Sequence, residues 1–141
     1  MKQAIFHLAF PSLDLTATKT FFVDGLGAEA GRETPTALIL NLYGNQIVAH
    51  RITEPLEPQR GIYPRHFGLV FPNEQDWFEL LERAKSNGLK FYQEEKIRHP
   101  EKFTEHRTFF LEDPTGNLLE FKFYRHPEAV FGFVSDAEVG E

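Results

Sequence analysis

Two histidines and one glutamate, His7, His66 and Glu120, carry the clearest chemistry in this sequence. Glu120 falls within 118–124, where alternation puts Leu119, Phe121 and Phe123 on one face and Leu118, Glu120, Lys122 and Tyr124 on the other. An ionised carboxylate inside a sheet is costly unless something pairs with it, and a metal ion is one such partner. His7 and His66 lie on the polar faces of two other alternating runs. Two histidines and a carboxylate suit Fe(II), Mn(II), Ni(II) or Zn(II) and leave coordination positions open for substrate or oxygen. One strand histidine alone is more often a hydrogen-bonded structural residue, so the inference rests on the three together. The chain has no cysteine, so thiolate sites and disulfides are excluded and any metal must take nitrogen and oxygen ligands.

These residues need elements to position them. Residues 4–10 alternate as a strand, with His7 on one face beside Ile5 and Ala9, and Pro11 is expected to end it. Asp14 is placed to cap a helix to about residue 24, stopped by Gly25 and Gly27. A weak strand at 28–33, clear strands at 36–42 and 46–52, and a turn at 43–45 complete a strand-helix-three-strand unit. Pro55, Pro58 and Pro64 mark 54–64 as a linker. The order then repeats, with a strand at 66–71 and an Asn73-capped helix to about residue 87 striped by Trp77, Leu80, Leu81 and Ala84. A strand at 89–93 or slightly beyond and a hairpin over 109–124 finish the second unit. The hairpin turns at Asp113-Pro114-Thr115-Gly116-Asn117.

The sequence is therefore read as one domain of two βαβββ units, about 1–53 and 65–125, with a tail at 126–141. The fold class is α+β: a curved mixed sheet around a metal-containing cavity, helices outside. His7, His66 and Glu120 would point into the concave side. Residues 98–107 read as a charged loop, able to hold an anionic substrate through Arg98 or Arg107. Lys122 and Tyr124 share the face of Glu120 and would line the mouth of the cavity. Phe131 and Phe133 in the tail are expected to dock on the rest.

With 141 residues, 41% hydrophobic and 26% charged, the composition is that of a soluble globular chain. A net charge of −6 argues against a nucleic-acid surface. The N-terminal stretch has too short an apolar run for a signal peptide, and no segment approaches the ~18 apolar residues of a membrane helix. Cytoplasmic location and a small-molecule substrate are the expectations.

The element order, the H…H…E spacing and the turn-strand DPTGNLLEF (113–121) resemble the vicinal oxygen chelate superfamily, which includes glyoxalase I, extradiol dioxygenases, fosfomycin-resistance enzymes and bleomycin-resistance proteins. The resemblance covers about 5–124. It implies metal ligation by His7, His66 and Glu120, and a homodimer. Aligning Gly44-Asn45 with Gly116-Asn117 sets Val48 opposite Glu120, where glyoxalase I has a fourth ligand. Three ligands resemble the extradiol dioxygenases more, with Fe(II) as the preferred ion and His50 as a pocket acid or base. Gln46 or His50, flanking Val48, are alternative fourth ligands. A glyoxalase I-like lyase or isomerase and a drug-binding protein of the bleomycin-resistance type are the rival functions.

Overall fold

The computed structural model describes residues 2–132. It contains β1 (His7–Ser12), α1 (Leu15–Lys19), β2 (Glu29–Glu33), β3 (Ala37–Leu42) and β4 (Asn45–Arg51). The second unit follows with β5 (Phe67–Val70), α2 (Glu74–Ser86), β6 (Phe91–Arg98), β7 (His106–Glu112) and β8 (Leu118–Tyr124). Each unit makes one four-stranded mixed sheet, ordered β1-β4-β3-β2 and β5-β8-β7-β6. In each, the first strand runs parallel to the fourth and the other neighbours are antiparallel. The sheets do not close on themselves, and β1 and β5 are both edge strands. This is the expected βαβββ architecture.

The helices form where the sequence offers caps. Asp14 accepts from the Ala17 amide, and α1 continues as a π-helical turn over Thr20–Gly25. Asn73 accepts from the Gln75 amide at the start of α2, and Trp77, Leu80, Leu81 and Ala84 are its buried stripe. Fully burying side chains of that size is worth about 1.5–3 kcal/mol each. Trp77 also donates its indole N–H to the Phe121 carbonyl (2.8 Å), fixing α2 on β8. Phe22, Leu38, Leu40, Phe109, Leu111 and Phe121 belong to one core cluster drawing on both units.

The turn between β7 and β8 owes its sequence to hydrogen bonding. Asp113 is buried, accepting from the amides of Thr115 (2.9 Å) and Asn117 (2.8 Å) and from the Asn117 side chain (2.8 Å). Burial pushes its carboxyl above the ordinary value, and these bonds pull the other way. Gly116 takes φ +98°, a region open to glycine. The Asn117 side chain also donates to the Pro11 carbonyl (3.0 Å), and Thr115 Oγ1 accepts from the Leu13 amide (3.0 Å). The hairpin turn is thereby fastened to the first unit.

Four local expectations are corrected. Pro11 does not end β1, which runs on to Ser12. As an edge strand, β1 can carry a residue with no amide hydrogen on its unpaired side. The strand expected at 89–93 extends to Arg98, with register shifts at 91–93 and 93–96 that break its alternation. Of the expected charged loop, residue 98 belongs to β6 and 106–107 belong to β7. Phe131 is 79% exposed, and Phe133 lies outside the described residues.

Candidate metal centre

Ladder register decides which side chains share a face. In the second sheet, Glu120 lies opposite Gly68 on β5 and Phe110 on β7, and Lys122 opposite Val70 and Thr108. His66 stands two residues before Gly68, on the same face. A side chain at Gly68 is sterically barred: its Cβ would collide with the backbone carbonyl of Glu120. Glycine lets β5 approach β8 closely beside the pair His66 and Glu120.

His66 Nε2 lies 3.1 Å from Glu120 Oε1, and Glu120 is buried. The other carboxylate oxygen, Oε2, accepts from the buried hydroxyl of Thr108 at 2.6 Å. Lys122 Nζ approaches Oε1 at 3.8 Å and donates to the Tyr124 hydroxyl at 3.3 Å. His66 Nδ1 donates to the Ile62 carbonyl (2.7 Å), so in the neutral ring Nε2 bears the lone pair. That nitrogen faces a carboxylate oxygen, a position that either a proton or a metal ion can fill. A ring N–H held by a backbone carbonyl is also how metal-ligating histidines are oriented.

In the first sheet, His7 pairs in register with Gln46, Ala9 with Val48 and Pro11 with His50. His7 Nδ1 donates to Gln46 Oε1 (2.7 Å), since an amide oxygen can only accept. His7 is exposed, and Nε2 of its neutral ring bears the lone pair. Gln46 thus orients His7. His50 is exposed on the same face, beyond Val48. Among the described residues no three His, Cys, Asp or Glu side chains gather as a metal-holding group. The chain therefore brings His66 and Glu120 together and keeps His7 with Gln46 on the other sheet.

Lys122 and Tyr124 share Glu120's face, as alternation required. Arg107 lies on the opposite, helix-covered face of β7. Its Nε pairs with Glu74 of α2 at 2.8 Å and its guanidinium stacks 5.1 Å from the Phe78 ring centre. That placement gives no support to Arg107 as a substrate contact. Extending the alternation of β7 back from Phe109 by two residues would have shown this.

Thr108 carries no motif and becomes legible only once a partner for Glu120's second oxygen is sought. His106, expected in the charged loop 98–107, lies in β7. His106 is 1% exposed at the start of β7, on Glu120's face, with Nδ1 donating to the Thr104 carbonyl (2.9 Å) and its ring 4.8 Å from that of Tyr124. Burial holds its pKa below the ordinary histidine value, and Lys122 and His99 act in the same direction.

The model for the Glyoxalase/Bleomycin resistance protein/Dioxygenase superfamily matches residues 4–121. The chain belongs to that superfamily. A glyoxalase/bleomycin resistance protein/dioxygenase from Alicyclobacillus acidocaldarius is 38% identical, with a TM-score of 0.84 over 89% of this chain and 94% of its own. The genomically encoded fosfomycin resistance protein of Listeria monocytogenes (20% identity, TM-score 0.67, covering 87% and 94%) shares the fold. So does the lactoylglutathione lyase of Agrobacterium tumefaciens (17%, TM-score 0.64, covering 86% and 94%). No curated protein matches the chain. Members of the superfamily commonly use divalent metals; His66 Nε2 and Glu120 Oε1 are donors of a chemistry that suits one, while His7 lies on the other sheet.

Proposed function

We propose that this superfamily member is a divalent-metal-dependent enzyme of the extradiol dioxygenase type, with His7, His66 and Glu120 as ligands. The observation that carries the reading is the His66–Glu120 pair. Nδ1 of His66 is engaged with the Ile62 carbonyl, and Nε2 is aimed at Glu120 Oε1. The bound ion, Fe(II) by preference, would supply a Lewis-acid centre with open positions for two neighbouring substrate oxygens and for dioxygen.

The chain's own residues have separable tasks. Thr108 holds Glu120 Oε2 and so presents Oε1. Gln46 and the Ile62 carbonyl fix the two imidazoles. Val48, in the register position equivalent to Glu120, offers no donor and leaves a three-ligand set. His50, on the open face of the first sheet, is the candidate acid or base. Lys122 and Tyr124 line the substrate side.

His7 would come from a second copy of the chain. Within one chain the triad does not gather, and each half of it sits at or beside an edge strand. A two-fold dimer that sets β1 of one protomer beside β5 of its partner would complete two equivalent sites. The second reading is Lewis-acid chemistry without redox, on the same ligands, favoured by His50 standing on the face of His7.

The test is complementation. His7→Ala and Glu120→Ala proteins should each lose metal after anaerobic purification. Mixed dimers should regain one intact site, read by elemental analysis and by oxygen uptake with catechols. Metal without oxygen uptake moves the reading to the Lewis-acid class. No metal in the wild type even after reconstitution overturns both enzyme readings and leaves a binding protein of the bleomycin-resistance type.

A further inference from the structure

The open face beside Glu120 carries positive charge in a chain whose net charge is −6. Rows across the sheet follow from register. One row beyond Glu120 lie Lys96, Thr108 and Lys122, and the next holds Arg98, His106 and Tyr124. Neither row contains an acidic residue. Rows on one face are about 7 Å apart, so Lys122, one row along β8 from Glu120, stands within reach of a small molecule seated there, and Lys96 lies two strands farther across in the same row as Lys122.

Lys122 is central. Its side chain is only 18% exposed, its ammonium lies 3.8 Å from Glu120 Oε1, and Tyr124 supports it through the hydroxyl (3.3 Å) and the ring face (5.5 Å). His66 leans on the same carboxylate oxygen at 3.1 Å. A cation bound at Oε1 satisfies that oxygen and repels the ammonium. Lys122 then needs a new anion, and the nearest unfilled position is the substrate's.

We infer that Lys122 is an anion anchor, and that the substrate is a metal chelator with a carboxylate, phosphonate or phosphate group a few bonds from its chelating oxygens. The inference rests on the metal site proposed above. Lys96, in the same row as Lys122 and exposed, adds to the positive field on this face. Metal and anion binding are then positively coupled, and Lys122 is the residue that couples them.

Mn(II) binding to the full chain is measured first by calorimetry, alone and then with inorganic phosphate or benzoate present. Charge-assisted contacts of this kind are worth about ten- to a hundredfold in affinity. Wild type should bind Mn(II) at least about tenfold more tightly with one of the two anions, and the better anion distinguishes a phosphoryl from a carboxylate substrate. Lys122→Gln should lose the anion's effect while binding Mn(II) alone at least as tightly as wild type, because a repelling charge is gone. Lys122→Arg should retain coupling. Coupling that persists in Lys122→Gln would mean that the anion meets only the metal, and overturns the inference. So does a Lys122→Gln protein that loses Mn(II) as completely as Glu120→Ala, which would make Lys122 structural. Failure of wild type to bind Mn(II) before any anion is added sinks the metal site itself. Mn(II) binding with no anion effect sinks only the anchor.

Discussion

By ladder register His7 answers to His66, Ala9 to Gly68, Ala37 to Thr108, Val48 to Glu120 and His50 to Lys122. The histidines are shared between the two units, and the rest of the site is not. Where the second unit sets a carboxylate beside a hydroxyl and a lysine, the first sets a valine beside an alanine and an exposed histidine. Val48 and Ala37 are apolar together; Glu120 and Thr108 are polar together. The contrast shows what a mid-sheet carboxylate requires: a donor for each oxygen. Glu120 has the Thr108 hydroxyl for one and the Lys122 ammonium, 3.8 Å away, for the other.

Transplanting the carboxylate into the first unit should break the comparison most severely. Val48→Glu buries an unpartnered charge, with an expected loss of about 3–5 kcal/mol in urea unfolding. Adding Ala37→Thr should restore part of that loss, and no recovery would show that the hydroxyl is not what the carboxylate lacks. The glycine contrast comes next. Gly68→Ala places a methyl against the backbone of Glu120 and should destabilise by about 3 kcal/mol or more. Ala9→Gly at the matching position should cost only about 0.5–1 kcal/mol. Equal effects at the two positions would refute the close approach of β5 to β8.

Thr108→Val removes the donor from Glu120 Oε2 without touching a proposed ligand. Metal affinity should fall about 10–100-fold, with recovery in Thr108→Ser. The smallest effect is at His106. Burial favours its neutral ring, so the unfolded chain binds the proton first as pH falls. Its contribution to stability is full above the ordinary value of 6.5 and is lost as pH falls toward the lower folded value. The pH profile of unfolding free energy should therefore be shallower below about 6.5 in His106→Phe than in wild type. Identical profiles would show that the buried ring does not drive the acid limb.

Much of this architecture could be read from alternation and caps. Asp14, Asn73 and the stripe of α2 marked the helices, and the face of Glu120, Lys122 and Tyr124 followed from the period of two. Legibility failed where regular periods fail. The irregular pairing in β6 scrambles alternation, so residues that finish one strand and begin the next looked like charged loop. His106 disappeared into that loop, and Arg107 seemed available to a ligand although Glu74 holds it. The partners that orient His7 and His66, an amide side chain and a linker carbonyl, carry no signature in a single sequence.

The turn Asp113–Asn117 has a consequence for how the chain folds. Its links to Leu13 and Pro11 join residues 102 and 106 apart in sequence. Such closures form late, since a long loop must be ordered before the bond is gained. The turn acts as a latch closed from the far end of the chain, and with the shared core it is expected to make both halves melt in a single transition, checked by comparing thermal unfolding of wild type and Asn117→Ala. Cutting the chain within 54–64 should leave two fragments that each reach their final form only in the presence of the other.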